Sequence, residues 1–356
     1  MKSLDMTTDL HTVKSGTVKS GMGNSSIVCS SHGEPSSQLK LVSTSIPVPR
    51  RGQVLVRMLA APVNPSDLLF VKGNYQRGPQ LPATIGFEGV GIVEKSGGGL
   101  IGRTLIGKRV AVLRQHGGTW ANYCVSSVMT VIPVPQTLSN AQAAAYFVNP
   151  ATALMLTQYV FPIPVGNWLI QSAAASSLGR MIIRLGKHYK FRTINLVRNP
   201  DHVNELKQLG ADEVLVVNEQ TSPEQLRQQV WQICLSASPR YAVDPVGGSI
   251  GSLMLNALGE QGRLKTIAAL SDDPLTISAR TILINRLGIS SFWLDHAMKA
   301  LSFREQIRFV GELGKLHAAG LFQVENFQAF PLHDWRTAID HAGNAPGGTK
   351  VILTMQ

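Results

Sequence analysis

Residues Trp168 to Arg198 read WLIQSAAASSLGRMIIRLGKHYKFRTINLVR. Trp168–Ser172 is apolar enough for a buried strand, and Leu178–Tyr189 has the spacing of a helix. Only small residues lie between them: Ala173, Ala174, Ala175, Ser176 and Ser177, with Gly179 following just inside the helix. A second strand is predicted at Thr193–Val197. Strand, small-residue turn, helix and strand is the order in which a dinucleotide fold brings backbone N–H groups to a pyrophosphate. The G-x-G-x-x-G text itself is missing, and only its last glycine has a counterpart, Gly179, where helix and strand must pack closely. An ordinary βα turn would look similar, so the end of the second strand decides between them. Arg198 stands 19 positions after Gly179. An NAD site needs an acid at about that spacing to accept from the ribose hydroxyls. A guanidinium cannot accept, but it suits a 2′-phosphate. Arg198 and its neighbour Asn199 therefore point to NADPH over NADH. A solvated loop charge is the bland alternative for Arg198.

The alternation continues outward from this stretch. Helices are expected at Val203–Leu209, Glu224–Cys234 and Ile250–Leu258, with strands at Val214–Val217, Tyr241–Asp244 and Gly262–Ile267. Such alternation predicts βαβ crossovers and a parallel sheet covered on both faces. Upstream, residues 25–134 read as short strands, among them Ser26–Cys29, Leu39–Val42, Gln53–Ala60, Arg109–Leu113 and Ala121–Val125. They are separated by Pro-x-Pro and Gly-Gly punctuation. Ser139 is a candidate N-cap for an Ala-rich helix at Asn140–Phe147. Phe303–Ala319 reads as an amphipathic helix closed by Gly320, and Lys350–Thr354 as a last strand. Met1–Asn24, rich in Ser, Thr, Gly and Lys, reads as a flexible tail.

Composition narrows the function. With 356 residues, 44% of them apolar, the chain is long enough for two domains. The net charge of +11 is scattered and forms no basic run of the kind that binds nucleic acid. A deficit of acids explains it; an anionic partner such as a phosphorylated cofactor, coenzyme A or an acidic carrier protein would explain it too. No apolar run is long enough for a membrane span. Three cysteines make neither a disulfide framework nor a four-Cys zinc lobe. The expected compartment is reducing and cytoplasmic, with organelle import left open.

The segment Ala60-Ala61-Pro62-Val63-Asn64-Pro65-Ser66-Asp67, the strand end Tyr241-Ala242-Val243-Asp244-Pro245-Val246-Gly247 and the order of the two halves resemble the medium-chain dehydrogenase/reductase superfamily. The resemblance covers nearly all of Ser25–Met355. It implies an α/β fold in which a GroES-like β-rich catalytic domain (25–150 and 296–356) is split by a doubly wound parallel-sheet Rossmann domain (151–295). The zinc branch of that family places Cys-His where this chain has Asn64-Pro65, and a His where it has Phe87. Neither position offers a zinc donor, so no metal is expected. Within the zinc-free branch, Gly73-Asn74-Tyr75 with Leu81-Pro82-Ala83, Gly118-Thr119-Trp120, Ser291-Phe292-Trp293-Leu294 and the ending Lys350–Met355 are similar to mitochondrial-type 2-enoyl thioester reductases. Ala268-Ala269 stands where that group tends to carry a Gly pair.

The resemblance implies site roles. Reducing an enoyl thioester needs a hydride at the β carbon, a proton at the α carbon and support for the charge growing on the thioester oxygen. An unperturbed tyrosine holds its proton at neutral pH, and the resemblance gives that task to Tyr75; a turn aromatic filling a gap is the alternative. Asn64 is assigned to substrate or nicotinamide, and Trp293 to the acyl channel or to the core. Asn149 and Thr152 would meet the nicotinamide end, or else cap a helix. Ala175, Ser176, Ser177, Leu178 and Gly179 would cradle phosphates. Ile267, Ala268, Ala269, Leu270, Phe292 and Leu294 would line the cofactor, and Lys350 would reach the 2′-phosphate side. Glu88, flanked by glycines, is read as structural. The runner-up is an NADPH-dependent quinone oxidoreductase of the zeta-crystallin type, and a third reading is an NADPH binder without turnover. A homodimer through the sheet edge near Gly288–Leu294 is expected.

Overall fold

Six strands of the second half pair side by side in parallel: β1 (Trp168–Gln171), β2 (Arg192–Val197), β3 (Glu213–Val216), β4 (Tyr241–Asp244), β5 (Arg263–Thr266) and β6 (Gly288–Ser291). Their spatial order is 3-2-1-4-5-6, the doubly wound arrangement in which strand order reverses beside β1. The computed structural model describes residues 23–75, 78–114, 117–235, 238–344 and 348–355. All four residues of β1 are buried, because helices cover both faces of the sheet. Helix α1 (Ser177–Tyr189) leaves the tip of β1 and buries Met181, Ile182, Ile183 and Leu185. Helix α2 (His202–Leu209) follows β2. Beneath the turn, Gln171 donates to Asn195 Oδ1 at 2.7 Å and to the Gly179 carbonyl at 3.0 Å, tying β1 to β2 and to α1.

The β-rich half contains a seven-stranded sheet. It runs Asn326–Pro331, Thr349–Thr354, Gln53–Pro62, Glu88–Ser96, Arg109–Leu113 and Val131–Pro133, with Tyr123–Ser127 also paired to Gln53–Pro62. A smaller sheet joins Leu39–Thr44, Asn24–Cys29 and Ala83–Thr84. The C-terminal strand thus returns to the first half and lies against Ala60–Pro62. Residues 1–22 of the expected tail lie outside the described residues. Asn24 already belongs to a strand, where its side chain exchanges hydrogen bonds with the backbone of Tyr123.

Two elements differ from the sequence reading for identifiable reasons. Glu88–Ser96 is a nine-residue strand that the sequence reading does not name. Its glycines permit close approach: a Cβ on Gly91 would sit 2.4 Å from the Arg57 carbonyl of the neighbouring strand. The Ala-rich helix, capped by Ser139 as expected, stops at Ala144, and a new helix starts at Val148. Val148 N is held at that break by the Glu88 carboxylate, 3.0 Å away.

The helix Phe303–Ala318 packs its Phe309, Leu313 and Leu316 into the core that holds Leu169, Met181 and Leu185. Its Glu312 accepts from Tyr189 of α1 at 2.7 Å and from Tyr159 of the π-helical turn Met155–Val160 at 2.8 Å. We propose that this helix belongs to the parallel-sheet unit and that the chain re-enters the β-rich unit at Asn326, not at 296. Phe309→Ala should then lower the unfolding free energy by about 3–5 kcal/mol, as for a fully buried aromatic, in urea titrations followed by tryptophan fluorescence. A loss below about 1 kcal/mol would mean that the helix adds little to that core.

Candidate functional site

The tip of β1 turns sharply at Ala173, whose φ is 47°. Ala174 N donates to the Leu196 carbonyl at 3.2 Å, pinning the turn to β2. Ser176 caps α1 by accepting from Gly179 N at 3.1 Å. A Cβ on Gly179 would lie 2.5 Å from the Ala174 carbonyl oxygen, so the helix rests directly on the turn. The first turn of a thirteen-residue helix therefore opens beside a turn whose side chains are no larger than a hydroxymethyl group. That is the steric and dipolar requirement of a pyrophosphate cradle.

A cleft of about 1080 Å³ runs from this turn between the two halves. Ala175, Ser176, Ser177 and Leu178 line it, and so do Arg198 and Asn199 past the end of β2. Asn149 and Thr152 enter from the helix Val148–Leu154. Ile267, Ala268 and Leu270 enter after β5, and Phe292, Trp293 and Leu294 after β6. From the β-rich half come Asn64, Tyr75 and Lys350. Two nominated residues stay outside the lining: Gly179 sits behind the turn, and Ala269 faces solvent. The residues present fit a phosphorylated dinucleotide: a small-residue turn at a helix start, a guanidinium beyond the second strand, and a cleft long enough to join them.

Tyr75 follows the helix Pro65–Lys72, which Gly73 ends in a left-handed cap with φ 86°. Its ring lies 5.7 Å from Phe87 and 5.0 Å from Trp293, the latter edge-on at 61°. Phe87 in turn meets Phe70 at 5.9 Å. Tyr75 is thus packed by its own half on one side and by the parallel-sheet half on the other.

A buried polar cluster closes the same wall, built from Asn64, Asp67, Glu88 and Lys350, none more than 6% exposed. Asn64 Nδ2 donates to Glu88 Oε1 at 2.9 Å, and Lys350 Nζ donates to Asn64 Oδ1. Asp67 accepts from Asn64 N at 2.8 Å and from Phe87 N at 3.0 Å, completing a capping box at the start of the helix. Burial raises the Glu88 carboxyl, with Lys350 and Asn64 pulling it back. Burial lowers the Lys350 ammonium, and the two carboxylates pull it back up.

Lys350 therefore departs from the sequence reading. It was expected toward the 2′-phosphate, but its ammonium turns to Asn64 because two buried carboxylates leave it no cheaper place in a low-dielectric wall. Glu88, read as structural, is the base on which Asn64 is oriented. Asp67 was missed, although N-x-x-D before a helix is a legible cap. Asn64 and Phe87, which replace the ligands of the zinc branch, are engaged otherwise: the amide by Glu88 and Lys350, the ring by Tyr75 and Phe70. Among the described residues no group of three or more His, Cys, Asp or Glu is placed to hold a metal.

Comparison with known proteins agrees with this geometry. The alcohol dehydrogenase GroES-like domain family matches residues 50–155, and the zinc-binding dehydrogenase family matches residues 177–312. The mitochondrial enoyl-[acyl-carrier-protein] reductase of Xenopus tropicalis is 32% identical over 340 residues, covering 92% of this chain and 95% of the relative. That of Dictyostelium discoideum is 33% identical over 277 residues, covering 76% and 77%. Among solved structures, a putative NADPH:quinone reductase from Bacillus thuringiensis superposes with a TM-score of 0.84 at 29% identity, covering 94% of this chain and 99% of the other. The complex of Etr1p with NADP and crotonyl-CoA superposes with a TM-score of 0.81 at 24% identity, covering 94% and 100%, and shares the fold.

Burial pushes the Asp67 carboxyl up to about 7, against the pull of two backbone N–H groups and Lys350. Between about pH 4 and pH 7 the folded state keeps a proton there that the unfolded state has lost. The stabilisation linked to that proton is complete below the unfolded pKa and disappears as pH rises through the folded one. Urea titrations from about pH 5 to about pH 8 should show this fall. Asp67→Asn should flatten it while costing about 1–3 kcal/mol overall, because an amide nitrogen then faces one of the two donors. An unchanged slope would remove Asp67 as its source.

Proposed function

The chain belongs to the medium-chain dehydrogenase/reductase family, with the mitochondrial enoyl-[acyl-carrier-protein] reductases among its relatives, and on that premise we propose how its cleft works. It is an NADPH-dependent oxidoreductase that reduces the carbon–carbon double bond of a 2-enoyl thioester. The observation that carries the reading is the shared cleft: Tyr75, the small-residue turn and Arg198 all line it. The thioester's carrier is coenzyme A or an acyl carrier protein.

When bound, NADPH supplies the hydride for the β carbon. Backbone N–H groups at the start of α1, with Ser176 and Ser177, would hold the pyrophosphate, and Arg198 would hold the 2′-phosphate. Asn149 and Thr152 would meet the nicotinamide end. Tyr75, braced by Trp293 and Phe87, holds the proton for the α carbon at its hydroxyl. The Lys350 ammonium, aimed by Asn64, puts positive charge in the wall beside them. Phe292 and Trp293 exclude water from that end of the cleft.

The β6 edge carries the dimer contact. Ile289 is 42% exposed there, and Leu283 and Ile284 on the adjoining helix Ala279–Asn285 are 78% and 67% exposed. An uncovered strand edge flanked by such residues is closed by a second copy of the chain. Among the described residues no helix is long and apolar enough to cross a membrane. The names of the relatives weigh toward the mitochondrion over the cytoplasm expected from the sequence, and imaging a carboxy-terminal fluorescent fusion decides between them.

The superposition on a putative NADPH:quinone reductase keeps quinones as a second substrate class. A panel of short and long enoyl-CoAs and a quinone, each with NADPH, separates the readings. Tyr75→Phe should lower kcat on crotonyl-CoA by about 10²–10³, the usual worth of a positioned proton donor, with NADPH affinity near the parent's. Parent-like turnover by that variant, or a parent that reduces quinones alone, would overturn the thioester reading. Arg198→Ala should weaken NADPH by about tenfold or more while barely changing NADH; equal losses would remove the 2′-phosphate contact.

A further inference from the structure

His202, the first residue of α2, lines the cleft beside Arg198 and Asn199. Its Nδ1 lies 3.4 Å from Glu205 Oε2. The other oxygen of Glu205 receives Arg180 Nη1 at 2.7 Å. The Arg180 side chain is only 7% exposed, and its Nε donates to the Ala175 carbonyl at 2.9 Å. A continuous chain of polar contacts therefore runs from the Ala173–Ser177 turn through Arg180 and Glu205 to an imidazole at the far end of the same cleft.

Each link constrains the next. Arg180 can hold Glu205 only while α1 and α2 keep their spacing. Its guanidinium holds the Glu205 carboxyl below the usual carboxylate range. Glu205 in turn engages Nδ1 of His202, which leaves Nε2 as the nitrogen available to the cleft. With Nδ1–H directed at the carboxylate, a neutral ring presents a bare lone pair at Nε2, whereas a protonated ring presents a donor. The imidazole meets Glu205 of its own helix; Asp201 precedes it in the chain, Arg198 lines the same cleft, and Arg180 reaches Glu205 from α1. The Glu205 charge is offset by Arg180, so it does not oppose an anion in the cleft.

We infer that His202 is a second ligand of the cofactor's 2′-phosphate, facing Arg198, and that Arg180 and Glu205 are the positioning residues that aim it. This rests on the NADPH reading above and adds a group that strengthens phosphate binding only when protonated.

The test measures NADPH and NADH dissociation constants by nucleotide fluorescence near pH 6 and near pH 8, for the parent, His202→Gln, Glu205→Gln and Arg198→Ala. Second ionisation of the phosphate itself is common to all four proteins, so parent-to-variant ratios isolate the side chain. His202→Gln should weaken NADPH about three- to tenfold near pH 6, as for one charge-assisted hydrogen bond in a partly solvated site, with NADH unchanged. Glu205→Gln should shift NADPH in the same direction, again sparing NADH. Parent-like NADPH binding by His202→Gln near pH 6, or equal losses for both nucleotides, would overturn the assignment. A parent that binds NADH as tightly as NADPH, with Arg198→Ala silent, would overturn the cofactor reading itself and is distinguishable from failure at His202 alone.

Discussion

The side-chain amide of Asn64 stands between a buried ammonium and a buried carboxylate, and both walls of the cleft depend on it. Its carbonyl must face Lys350 and its NH₂ must face Glu88, so the group cannot turn over without opposing like to like. Glu88 then uses its second oxygen on Val148 N, which starts the helix carrying Asn149 and Thr152. Asn64 N is tied to Asp67, whose other oxygen fixes Phe87 N. The Phe87 ring braces Tyr75. Removing Lys350 or Glu88 strands the opposite charge in this buried cluster at a cost of about 3–5 kcal/mol. That penalty keeps strands from distant parts of the chain, at Glu88 and Lys350, in one place.

The opposite wall is built on size. Ala and Ser replace glycines in the turn after β1, and the close approach that glycine usually permits is retained only at Gly179. Ser176 has a double duty there. Its oxygen accepts from Gly179 N to cap α1, which leaves its hydroxyl proton to donate into the cleft. Gln171 and Asn195 support the floor by hydrogen-bonding across the buried tips of β1 and β2. The turn therefore keeps the geometry a dinucleotide cradle requires without its usual spelling, because the fold supplies helix N–H groups and spacing whichever small residue occupies the turn.

Much of this was legible from the chain. The β1–α1–β2 stretch, the alternation beyond it and the Arg198 position follow from periodicity and spacing, and these are local signals. What stayed hidden depends on long-range contacts. The strand Glu88–Ser96 was not named, and the role of its Gly91 depends on the close approach of the distant Arg57 carbonyl. Lys350 was expected toward the 2′-phosphate because nothing near it in sequence announces Asn64, 286 positions away. His202 gave no signal, since its significance comes from Glu205, Arg180 and the turn meeting in space. The helix Phe303–Ala318 was recognised as a helix, but its side of the molecule is set by Glu312 meeting two tyrosines.

A buried ammonium, Lys350, sets what the rest of the wall must do. Lys350 carries one positive charge, held by an amide and two carboxylates, so it can support negative charge nearby but cannot bind a carbonyl oxygen as an open metal coordination site does. The wall is close to neutral when one of the two carboxyls keeps its proton, and Asp67 is raised toward that condition. A near-neutral wall offers modest electrostatic support to a thioester oxygen, so the reaction needs a separate proton donor held at fixed geometry. Tyr75, clamped between Phe87 and Trp293 from the two halves of the molecule, is the donor proposed for that task. On the proposed reading, packing of Tyr75 between the two halves places the donor, and the Asn64 cluster sets how much charge it must answer.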